Sequence, residues 1–174
     1  MYKALILLPF LLFLFACQQI KKVDQPSEKS QDKTTTYYFI RHAEKELQGG
    51  NPDLTEEGKQ HAKKWGSYFT NKNLDAIYST DYNRTQQTAQ IIADQLNLSV
   101  TSYNPNDSYT ENFKQNTHHK NVLVVGHSNT IPDFANTIIG EHKFSDISED
   151  DYDQLITITI KDSTVTSSIA TINN

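Results

Sequence analysis

Two dipeptides in this chain place reactive side chains at the end of an apolar run. Tyr37-Tyr38-Phe39-Ile40 breaks directly into Arg41-His42, and Asn121-Val122-Leu123-Val124-Val125 into Gly126-His127-Ser128. An imidazole serves as nucleophile, acid or base near neutral pH. A guanidinium presents a planar fork of donors that grips phosphate oxygens in pairs. A third apolar stretch, residues 74–78, runs into Ser79, Thr80 and, within one helical turn, Arg84. Of the 16 lysines and arginines only Arg41 and Arg84 are arginine. Lysine serves wherever a plain surface charge suffices, so two forks beside two histidines point to phosphate.

Such residues need a scaffold that gathers them. The continuous apolar runs at 37–40 and 121–125 read as strands buried on both faces. Residues 55–70 carry Ala62, Trp65 and Phe69 at helical spacing, with Thr55 as N-cap and Glu56 and Glu57 in the first turn. A second helix reaches residue 96 from a cap at Thr80 or Asp81, with Ala89, Ile92 and Leu96 on one face. Residues 98–103 predict a strand, 108–115 a weak helix, and 129–139 a helix stopped by Gly140. Period-two alternation over 155–160 and 164–171 predicts a hairpin. The order implies an α/β three-layer sandwich: a mainly parallel central sheet, helices on both faces, and a C-terminal antiparallel hairpin. In such sheets ligands bind at the carboxyl ends of the strands, where Arg41, His42, Arg84, His127 and Ser128 all fall.

A net charge of −5 gives no basic face for nucleic acid, so phosphate must be held by a few local cations. Residues 1–16 read as a signal peptide. Lys3 precedes an apolar run shorter than the roughly 20 residues of a spanning helix. Leu14-Phe15-Ala16-Cys17 resembles a bacterial lipobox, which implies lipidation of Cys17 after cleavage; the alternative is a plain secretory signal with Cys17 incidental. Cys17 is the one cysteine, so no intrachain disulfide forms. Residues 17–34 form a polar tether and 35–174 the folded domain. The expectation is an exported protein, lipid-anchored at the periplasmic or surface face of a bacterial envelope.

Four segments resemble the histidine phosphatase superfamily, the phosphoglycerate-mutase-like fold. Arg41-His42-Ala43-Glu44 resembles its Arg-His-Gly/Ala signature. Residues 52–62 are similar to its Leu-Thr-x-x-Gly-x-x-x-Ala segment, 78–89 to its Ser-x-x-x-x-Arg-x-x-x-Thr-Ala segment, and 124–129 to its second Gly-His. They occur in the family's order, and small bacterial phosphohistidine phosphatases look nearest. The resemblance implies that His42, neutral beside two arginines, attacks phosphorus to form a phosphohistidine that water hydrolyses. It further implies that Arg41, Arg84, His127 and Ser128 hold the phosphoryl oxygens, and that no metal or other cofactor takes part. The substrate would be a phosphorylated small molecule or protein. The cytoplasmic substrates of the phosphohistidine phosphatases do not carry over to an exported chain.

The family's proton donor has no clear counterpart. Asp107 is preferred over Glu111, and Asp107 reads equally well as a cap for the following helix. Ser128-Asn129 stands where acid-phosphatase relatives carry Asp. Glu44 either orients its neighbours or forms a salt bridge. His61, His118 and His119 read as solvated residues, because adjacent residues in extended chain point oppositely and no ligand set is completed. The alternatives are a phosphoglycerate-type mutase and a non-catalytic phosphate-binding lipoprotein.

Overall fold

In a computed structural model of the chain, which describes residues 34–172, β1 (Thr34–Arg41) lies inside a six-stranded sheet. The sheet also contains β2 (Ala76–Ser79), β3 (Val100–Ser102), β4 (Asn121–Gly126), β5 (Gln154–Lys161) and β6 (Thr164–Thr171), in the order β3-β2-β4-β1-β5-β6. Strands β1 to β4 run parallel; β5 is antiparallel to β1, and β6 to β5. The mainly parallel sheet with its closing hairpin is as the sequence predicts.

The apolar run of β1 is continuous because each face is covered. Tyr37 and Phe39 join Val122, Val124, Ile156 and Ile158 beneath α3 (Glu111–Thr117) and α4 (Thr130–Ile139), packing against Phe113, Ile131 and Phe134. Ile40 joins Ile77, Leu123, Val125 and Leu155 on the opposite face, against Trp65 and Phe69 of α1 (Glu56–Phe69) and Ala89 and Ile92 of α2 (Asn83–Leu96). Alternate residues thus feed two cores, and each fully buried large apolar side chain contributes about 1.5–3 kcal/mol.

Thr55 caps α1 by accepting from the Gly58 amide at 3.0 Å. Gly140, at φ 76°, ends α4 in the left-handed conformation that favours glycine. The start of α2 departs from expectation. It begins at Asn83 behind Tyr82 with no cap from its own N-cap side chain. The Asn83 amide donates instead to Asn51 Oδ1 at 2.9 Å, a cap supplied by the β1–α1 loop, which leaves the Thr80 hydroxyl free for other work. Thr110, not Asp107, caps α3, accepting from the Phe113 amide at 3.1 Å.

The expected signal peptide, Cys17 and the tether to residue 33 lie outside the described residues, while Thr34 is already the first residue of β1.

Candidate active site

Strands β1 and β4 pair in a register that sets Arg41 opposite Gly126, so the two chains leave the sheet side by side. The His42 amide donates to the Gly126 carbonyl at 2.9 Å, and the rings of His42 and His127 stand 5.6 Å apart. His42 Nδ1 lies 2.7 Å from the Ala43 carbonyl. A carbonyl only accepts, so Nδ1 carries the proton and Nε2 keeps its lone pair. His42 is 2% exposed. That burial, reinforced by Arg41, Arg84 and His127 and opposed by the Ala43 carbonyl, lowers its pKa to about 3. The ring is neutral at physiological pH.

The first turn of α2 delivers Arg84, whose Nη2 lies 3.2 Å from His127 Nδ1. Arginine only donates, so Nδ1 accepts and the His127 proton sits on Nε2, 3.0 Å from Thr80 Oγ1. Thr80 in turn donates to Thr85 Oγ1 at 3.0 Å, and Thr85 to the Thr80 carbonyl at 2.8 Å. Burial first, then Arg84 and Arg41, lowers the His127 pKa to about 4. Tyr82 braces the pair: its ring lies edge-on to His127 at 4.9 Å and beneath the Arg84 guanidinium at 4.7 Å.

Arg41 is as buried as His42. Its Nη1 donates to the carbonyls of Ser148 at 3.0 Å and Asp151 at 3.4 Å, and its Nη2 to Glu149 Oε2 at 2.7 Å. The Tyr152 ring lies 4.4 Å from the guanidinium carbon. Ser128 Oγ donates to the other Glu149 oxygen at 2.5 Å. Nε of both Arg41 and Arg84 is buried with no partner among the described residues. Two such donors beside two neutral imidazoles form a cradle for an anion.

The structure therefore brings Arg41, His42, Arg84, His127 and Ser128 together. It does not bring Asp107, which is exposed at the end of a 3-10 turn and lines a separate cleft with Tyr103, Asn104 and Asn112. Reading by pattern missed Glu149 and Tyr152, which lie between α4 and β5 where no periodicity marks a position, and Thr80 as the partner of His127. His61 also departs from expectation: it is buried rather than solvated. Its Nδ1 lies 2.9 Å from Glu44 Oε1 and its ring stacks on Trp65, while Asp153 lies 3.1 Å from Nε2 but out of line for a hydrogen bond. Glu44 thus orients its neighbour His61 by accepting a hydrogen bond from the ring. Gly58 is required by close approach, since a Cβ there would fall 2.1 Å from the Glu44 carbonyl oxygen. His118 and His119 stack ring on ring at 3.7 Å, because the left-handed backbone of His119 removes the extended geometry. Among the described residues no group of His, Cys, Asp and Glu is placed to hold a metal.

Residues 37–104 match the family model described as histidine phosphatase superfamily (branch 1). Over 69 residues the chain is 43% identical to Phosphoserine phosphatase 1 of Hydrogenobacter thermophilus, a match covering 36% of this chain and 33% of that protein. The chain spans about a third of the length of this curated relative. Among solved structures, the protein histidine phosphatase SixA complexed with tungstate superposes with a TM-score of 0.61 at 15% identity, covering 78% of this chain and 96% of SixA. A mutant phosphoserine phosphatase of Entamoeba histolytica, solved with phosphoserine, gives 0.59 at 15% identity with the same coverages. This is the histidine phosphatase fold. The family-model match includes Arg41, His42 and Arg84 but stops before His127. Within the histidine phosphatase fold it is the β1–β4 pairing that supplies the second histidine.

Proposed function

We propose that the chain is a metal-independent phosphatase that hydrolyses phosphomonoesters through a phosphohistidine on His42. The observation that carries this reading is the unprotonated Nε2 of a buried neutral His42, ringed by Arg41, Arg84 and His127. In this mechanism the non-bridging oxygens of the substrate lie against Arg41, Arg84 and Ser128, while His127, its two nitrogens engaged by Arg84 and Thr80, holds Arg84 in place. Nε2 attacks phosphorus in line, the P–N bond forms as the ester P–O bond breaks, and the leaving oxygen takes up a proton. Water then attacks phosphorus, loses a proton, and releases inorganic phosphate and His42. The guanidinium donors match the charge spread over the equatorial oxygens in both steps. With Asp107 in a separate cleft, the leaving-group proton comes from solvent in this reading, and Asp107→Asn should leave turnover of alkyl phosphates unchanged.

The substrate is a small phosphomonoester, with phosphoserine the first to test, since a 69-residue stretch of the chain is 43% identical to a phosphoserine phosphatase. Lipidation of Cys17 would hold the domain at the cell envelope.

The test is turnover of p-nitrophenyl phosphate and phosphoserine by the full chain, with rapid quench of labelled substrate. Label on the protein should be lost in acid and survive alkali, the reverse of phosphoserine. His42→Ala should abolish label and turnover, vanadate should inhibit, and chelators should leave the rate unchanged. Label persisting in His42→Ala, or activity lost to a chelator and restored by a divalent metal, overturns the assignment.

A further inference from the structure

A nucleophile must touch phosphorus, yet His42 and Arg41 are each only 2% exposed. What closes the site is the segment between α4 and β5. Arg41 Nη1 holds its backbone through the carbonyls of Ser148 and Asp151, Tyr152 lies over the guanidinium, and the Tyr152 ring stands 6.1 Å from that of His42. From this strap the Glu149 carboxylate reaches in, one oxygen 2.7 Å from Arg41 Nη2 and the other 2.5 Å from Ser128 Oγ. It is an anion held by two donors that the proposed function assigns to the phosphoryl group.

We infer that Glu149 is an internal stand-in for the substrate phosphoryl group, a latch that must leave Arg41 and Ser128 before substrate binds. The inference rests on the reading of Arg41 and Ser128 as phosphoryl ligands. A carboxylate and a phosphoryl dianion cannot share these donors, because like charges in contact repel and each donor hydrogen serves one oxygen well. Departure is easy. The Glu149 side chain is 77% exposed, so a rotamer change takes it into water. The strap need not unfold, since Arg41 Nη1 keeps its backbone through two carbonyls that carry no charge. Once Glu149 leaves, Arg41 offers Nη2 together with its unpartnered Nε, the side-on edge that binds two oxygens at once. The latch satisfies a buried donor of Arg41 and a half-buried one of Ser128 in the resting site, and lowers affinity for any oxyanion. Inorganic phosphate, the product, is held less tightly for the same reason.

The test is titration calorimetry on the full chain with orthovanadate and inorganic phosphate, in wild type, Glu149→Gln and Glu149→Ala, beside KM and kcat for p-nitrophenyl phosphate. Removing the competing charge should tighten both oxyanions at least about fivefold, a discounted value for a charge at the solvent edge. KM should fall in parallel, and Glu149→Ala should gain at least as much as Glu149→Gln. Unchanged or weaker oxyanion binding in both variants, or no binding in any of the three proteins, overturns the latch. A loss of kcat confined to poor leaving groups, with no gain in affinity, also overturns it and makes Glu149 an acid. The two readings fail separately: tighter oxyanion binding without turnover sinks the catalytic reading and leaves the latch, while turnover without tighter binding does the reverse.

Discussion

Arg84 Nη2 lies 3.2 Å from His127 Nδ1, and that contact fixes which nitrogen of His127 holds the proton. With arginine as donor, Nδ1 is the acceptor, Nε2–H points to Thr80 Oγ1, and the chain of donors ends at the Thr80 carbonyl by way of Thr85. One residue of each kind, guanidinium, imidazole and hydroxyl, is thereby held in a single protonation state and orientation.

Thr80 is accordingly a positioning residue. Thr80→Val removes the acceptor for Nε2–H and should lower kcat/KM about tenfold, about 1.4 kcal/mol of transition-state stabilisation. Thr80→Ser, which keeps the hydroxyl, should restore most of it. Equal activity in Thr80→Val and Thr80→Ser would show that the bond does not orient His127.

Arg84→Lys keeps the charge but loses the planar fork and the defined contact with Nδ1. Its kcat/KM should fall by more than about tenfold. A near-normal value in steady-state assays would reduce Arg84 to a general source of positive charge.

Burial of two neutral imidazoles makes stability sensitive to acid. His42 has a folded pKa of about 3, below the roughly 6.5 of the unfolded chain, so the unfolded state takes up the proton first. The contribution is full above about pH 6.5 and is lost as pH falls from there toward about 3. At pH 5 the loss from His42 is about 2 kcal/mol. His127, at about 4, acts in the same direction. Urea midpoints at pH 7 and pH 5 should separate widely in wild type and less in His42→Gln; an identical separation in both would exonerate His42.

The proposed membrane anchor is tested at Cys17. Cys17→Ser should release the protein from membranes or leave it unprocessed. A variant that fractionates and matures like wild type excludes lipidation at this residue.

Much of the site was legible because strand ends are where a parallel sheet exposes side chains, and residues 37–42, 121–128 and 74–84 announce three such ends by abrupt loss of apolar character. The two arginines stood out against a lysine background, and period two in β1 told which residues face each core. What the chain could not declare locally were contacts between residues far apart in sequence. Glu149 reaches Arg41 across 108 positions, from a segment whose pattern marks neither helix nor strand. Thr80 reads as a helix cap until Asn51 is seen to take that task. His61 reads as solvated beside its lysines until α1 packs it against Glu44 and Trp65. Local chemistry and periodicity determine the elements and their catalytic ends. Burial, tautomer and the identity of the anion that fills the resting cradle depend on which distant backbones meet, and only tertiary packing decides that.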